Sequence, residues 1–183
     1  MNVTGSQELR EFLDGWKIDP QNAKAAFTAY MDFVAAHSGM SFTFKARPGV
    51  SYSLRARHAA QTKRELFVLL DVVDDEPDNR WLSVCFYNNM VTDAEDKGDF
   101  VPDGLMDEDA RCFNLENDDA HMRDYIMARL AEGSAGAAVE SGLVDAARGH
   151  AWAQARMVVL SDADSGPLGQ RLDSVWRLRE VAA

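Results

Sequence analysis

Lys45 in one short segment, and Ser53, Arg55 and Arg57 in the next, occupy alternating positions, with Phe42, Phe44, Tyr52 and Leu54 at the intervening ones. A period of two sends one set of side chains to each face of a strand. Guanidinium and ammonium groups beside a hydroxyl suit a carboxylate or a phosphate. Lys45, Ser53, Arg55 and Arg57 are therefore the candidate ligand- or partner-binding residues, on an anion-binding sheet face. Their surroundings sharpen the reading. Lys45, Arg47, Arg55, Arg57, Lys63 and Arg64 lie in a stretch without an acid between Gly39 and Glu65. Residues 71–119, by contrast, are dense in Asp and Glu and hold only Arg80, Lys97 and Arg111 as bases. Two outcomes are open: the acidic loops fold over the basic hairpin and neutralise it, or the hairpin keeps its charge for a ligand.

Other chemistries find less support. His37, His58, His121 and His150 are scattered, with no pair at helical ligand spacing and no Cys-x-x-Cys. Residues 93–98 have a glycine at the sixth place of a calcium loop. However, Lys97 stands at the fifth place and Gly104 at the twelfth, where a bidentate glutamate is needed. No metal site and no cofactor are expected. Cys85 and Cys112 sit in apolar runs and read as reduced, buried thiols. Asp107, Glu108 and Asp109 are loop acids without a sign of the desolvation that acid–base work requires. The glycines are isolated, so no phosphate cradle is present. No catalytic residue is assigned, and whether the chain is an enzyme stays open.

Composition sets the frame. The chain has 183 residues and a formal net charge of −11, with 46% apolar residues. That length suits one domain, or one domain with an appendage, and the charge repels nucleic-acid backbones except where a local basic patch offsets it. No run is long and apolar enough to cross a membrane, and Met1 to Thr4 carry no signal-peptide pattern. The expected location is cytoplasmic.

The elements that must hold the site follow from periodicity. Residues 40–46 and 50–57 alternate as half-buried antiparallel strands, while 66–73 and 81–87 are apolar on both faces. A two-residue turn at Pro48-Gly49 would set Phe44 opposite Ser53 and mix the faces. Parity therefore requires an odd loop that restores Phe44 opposite Tyr52 or Leu54. Residues 88–109 read as a long acidic loop that is functional, mobile, or hides a short strand such as 99–101. Residues 111–115 read as a fifth strand. Helices are expected after Thr4, after Asp19-Pro20, and after Asn117 with a stop at Gly133. Ser134 reads as the cap of the next one. The order helix, antiparallel strands, helix over residues 20–133, with 82–87 and 111–116 as strands, resembles in pattern the small modules of the frataxin-like group. That resemblance implies metal or iron handling as one activity of such modules, and it transfers no functional residue.

The expected fold is α+β. Residues 1–134 form an antiparallel sheet of four to five strands with helices packed on one face, and residues 135–183 form a helical extension. The expected function is a non-enzymatic ligand- or protein-binding module using a sheet face with a basic rim. Its candidate partners are a second copy of the chain, another protein or an anionic small molecule, with no nucleic acid and no membrane. The alternatives are a small enzyme with residues 88–109 as its lid, or a weak divalent-metal-handling protein.

Overall fold

A computed structural model describes residues 2–139. Their order is β1 (Asn2–Thr4), α1 (Ser6–Gly15), α2 (Ala23–Ala35), β2 (Met40–Arg47), β3 (Ser51–His58), β4 (Val68–Val73), β5 (Trp81–Tyr87), a single 3-10 turn at Asn88–Met90, β6 (Asp99–Leu105), β7 (Glu108–Leu115) and α3 (Ala120–Val139). The strands make one seven-stranded sheet in the order β1-β2-β3-β4-β5-β7-β6. All neighbours are antiparallel except β1 and β2. The fold is α+β, with more strands than the four to five that periodicity showed.

The extra strands are those that periodicity cannot reveal. β1 is three residues long and pairs Asn2, Val3 and Thr4 with Ser41, Phe42 and Thr43. β6 is exposed at every residue except Leu105, so it has no buried face to alternate. Leu105 pairs with Glu108 across Met106 and Asp107, both at positive φ (53° and 62°). Two consecutive left-handed residues make the mirror-image hairpin turn that glycine and asparagine usually signal, and neither stands here.

The β2–β3 connection obeys the parity argument. Arg47 pairs with Ser51 and Phe44 with Leu54 across the odd loop 48–50. Pro48 and Gly49 occupy its centre, Gly49 at φ 77°, and the Val50 amide donates to the Arg47 carbonyl at 2.9 Å. Proline followed by a left-handed glycine is the signature of a type II turn. Buried Asp74, in the β4–β5 connection, anchors this turn. Its carboxylate accepts from the Gly49 amide (2.7 Å) and from Arg80 Nε (2.6 Å), and its own amide donates to the Val50 carbonyl.

The core joins Leu9, Phe12, Phe27, Tyr30, Val34, Ile126 and Leu130 of the helices to one set of strand residues. From the sheet come Phe42 and Phe44, Leu54 and Ala56, Val68, Leu70 and Val72, Leu82, Val84 and Phe86, and Phe113 and Leu115. These are the residues whose alternation turns them away from Lys45, Arg55 and Arg57. α3 does not stop at Gly133 but runs to Val139, so Ser134 is a buried helical residue rather than a cap. A β-carbon at Gly133 would stand 3.1 Å from the Phe86 ring, so this glycine permits close approach of helix and sheet. The helix is capped by Asp119, whose carboxylate accepts from the His121 and Met122 amides, and not by Asn117. The expected boundary at residue 134 falls inside α3. Of the expected extension over 135–183, everything after Val139 lies outside the described residues.

Cys85 and Cys112 form a disulfide, in place of the reduced thiols expected. They lie directly opposite each other on β5 and β7, on the face that carries Arg55. The pairing depends on a register set across 27 residues of chain, which the local apolar surroundings of each cysteine do not report. It also removes one of the grounds for a cytoplasmic location.

Removing one partner of a buried ion pair strands the other charge. Asp74→Ala is therefore expected to lower the unfolding free energy by about 3 kcal/mol in urea titrations. Asp74→Asn, which keeps an acceptor for the Gly49 amide, should cost less. A loss below about 1 kcal/mol in the alanine variant would show that the turn is held by other means.

Candidate functional site: the cationic face of the β2–β3 hairpin

Strand register brings Lys45, Ser53, Arg55 and Arg57 onto one face. Lys45 stands opposite Ser53, Thr43 opposite Arg55, Ser41 opposite Arg57, and Arg47 opposite Ser51. Each opposed pair on this face thus combines one cation with one hydroxyl. The cations are the exposed members, except half-buried Arg55, while Ser51 and Ser53 are buried beneath them. Directly opposed like charges repel across a ladder, and this arrangement avoids every such contact.

The hydroxyls are largely committed to the protein. Ser53 Oγ donates to Asp71 Oδ1 at 2.6 Å, and Arg47 donates to Ser51 Oγ at 2.7 Å. Farther across the same face, Ser83 donates to Asn114 (2.8 Å) and Asn114 to Asp99 (2.9 Å). Register aligns Lys45, Ser53, Asp71, Ser83 and Asn114 into one polar row over five strands. The next row runs through Thr43, Arg55, Leu69 and the Cys85–Cys112 disulfide.

The cations are less committed. Of the six in residues 45–64, only Arg64 pairs with a carboxylate among the described residues: Glu108 accepts from its Nε (3.0 Å to Oε1) and from its Nη2 (2.5 Å to Oε2). Arg57 donates to the Gln61 carbonyl (3.0 Å), which orders the loop after β3. Neither Lys45 nor Arg55 has a carboxylate partner among the described residues, and Arg55 Nε is buried without an acceptor. The acidic segments do not neutralise the hairpin. Their paired acids meet cations elsewhere, as Asp74 meets Arg80 and Asp93 approaches Arg111 at 3.6 Å.

Residues 88–109 are not one long loop. They hold the 3-10 turn and β6, and β6 is hydrogen-bonded to β7. The piece between is pinned by Asp93, read in the sequence against a calcium loop. Its carboxylate accepts from the Lys97 amide (3.0 Å), the Gly98 amide (2.9 Å) and the Tyr125 hydroxyl (2.8 Å). Asp93 thus closes a turn onto α3, a role its sequence neighbours do not announce. Asp103, Asp107, Glu108 and Asp109 line a shallow depression of about 360 Å³ with Arg64, Asn88 and Asn89.

No protein-family model, no curated protein and no solved structure matches this chain. The likeness to the frataxin-like group therefore stays one of pattern and carries no function here.

Burial alone would raise the Asp93 pKa. The amides of Lys97 and Gly98, the Tyr125 hydroxyl and nearby Arg111 outweigh it and hold the carboxyl below its ordinary range. Its folded-state pKa is depressed, so the unfolded chain binds more protons in the interval between the folded value and about 4. The stabilisation is present above that interval and is lost as pH falls through it. Asp93→Asn should accordingly be less stable than the wild type near neutrality. The gap should narrow below about pH 4, as read by thermal melts across pH. A gap that stays constant with pH would contradict this.

Proposed function

We propose that this chain is a non-enzymatic binding module that takes an acidic protein partner on the face of β2 and β3, with Lys45, Arg55 and Arg57 as the recognition residues. The carrying observation is that these cations share one face while none of them meets a carboxylate among the described residues. In a chain with 30 acids and 19 Lys and Arg residues, an ordinary solvated face would mix the two signs.

The half-buried apolar residues Leu69, Val73 and Trp81 lie beside the cations on β4 and β5. They offer contact area next to the charges, as a pocket or groove with a charged rim does. The reading of residues 88–109 as an enzymatic lid gains nothing from a segment hydrogen-bonded into the sheet and tied to α3.

Fluorescein-labelled poly-L-glutamate is a direct probe. The wild-type chain should bind it with an affinity that falls as salt rises. The variant Arg55→Glu/Arg57→Glu should lose at least tenfold in affinity, with folding checked by circular dichroism. Because Arg57 also orders a loop, Lys45→Glu serves as the second variant and should weaken binding in the same direction. Unchanged affinity in both variants would defeat the proposal.

A further inference from the structure

The cross-strand pairs of the β2–β3 hairpin place one cation at each of four successive levels: Arg47 opposite Ser51, Lys45 opposite Ser53, Arg55 opposite Thr43, and Arg57 opposite Ser41. Neighbouring levels are two residues apart, a step of about 6.8 Å along an antiparallel strand. The four cations therefore stand at regular levels over about 20 Å, two on β2 and two on β3. None of the eight side chains on these levels is acidic.

An extended peptide has the same step between side chains that point the same way. Acids at every second position would all face the sheet, one above each level. Acids at consecutive positions would send half of their charges to solvent. From this match we propose that the partner of the hairpin face is an extended protein segment bearing carboxylates at alternate positions. This rests on the anion-binding reading above and names its ligand class.

The surroundings favour a peptide over a single-stranded nucleic acid, which needs aromatic platforms for its bases as well as cations for its phosphates. The hairpin's aromatic residues, Phe42, Phe44 and Tyr52, all belong to the opposite face. Tyr52 stacks on Phe12 with ring centroids 3.9 Å apart, and Phe42 and Phe44 are buried in the core. β5 has two aromatics on the cationic face: Trp81, two strands from the hairpin and aligned with Ser51 and Val73, and Tyr87, which is buried with the Arg64 guanidinium over its ring. Asp71, hydrogen-bonded to Ser53, adds a negative group beside the cations.

The test compares two labelled seven-residue peptides of equal composition with the intact chain, by fluorescence anisotropy at low salt. One has glutamate at positions 1, 3, 5 and 7 with serine between. The other has its four glutamates together. The alternating peptide should bind about tenfold more tightly, and Lys45→Glu should remove most of that preference. Equal binding of the two peptides, lost in Arg55→Glu/Arg57→Glu, would overturn the alternation while leaving the anion face intact. No binding of either peptide, with none of poly-L-glutamate, would overturn both. Tighter binding of a single-stranded oligothymidylate of equal charge would overturn the peptide assignment in favour of a polynucleotide.

Discussion

Everything proposed for this molecule depends on the register of β2 against β3. With Phe44 opposite Leu54, one face of the hairpin is apolar and buried, and the other holds only cations and hydroxyls. A one-residue slip of β3 would drive Arg55 and Arg57 into the core and expose Leu54 and Ala56. The turn prevents this twice over. Pro48 and Gly49 meet the backbone demands of a type II turn, and Asp74 clamps the Gly49 amide while paired with Arg80. Arg80 in turn lies over Phe12 and Trp16, with its guanidinium carbon 5.8 and 5.7 Å from their ring centroids. One buried carboxylate therefore links the hairpin turn, the β4–β5 connection and α1.

The charge distribution shows how an acidic chain keeps a basic face. Charges at contact distance dominate over diffuse net charge once salt screens the longer range. Arg64, Arg80 and Arg111 take Glu108, Asp74 and Asp93, and each pairing closes a connection rather than covering the hairpin. Lys45 and Arg55 sit on β2 and β3, separated from the acid-rich β6–β7 hairpin by β4 and β5. Sheet order, more than composition, decides where the charge remains uncompensated.

How much of this was legible in the sequence follows from range. The alternation of β2 and β3, the odd loop and the shared face of Lys45, Ser53, Arg55 and Arg57 are short-range facts, and the residues state them directly. β6 was only partly legible because its exposed residues do not alternate. Its turn uses Met106 and Asp107 where the usual hairpin signal is glycine or asparagine. The disulfide was misread because facing cysteines are a property of β5–β7 register, not of either strand. Gly133 read as a helix stop because propensity takes no account of the Phe86 ring that makes a side chain there unwelcome. The commitments of Asp93 and Asp74 were invisible for the same reason: each depends on which distant amides come within reach of its carboxylate.

The central claim is that the cationic face of β2 and β3 receives an acidic partner. The most direct measurement is a two-dimensional amide NMR titration of the isotope-labelled chain with the alternating glutamate peptide. The account predicts saturable shifts concentrated on residues 41–47 and 51–57, spreading to Leu69 and Asp71 and sparing β6 and α2. Shifts centred on any other surface, or none at peptide excess, would contradict it.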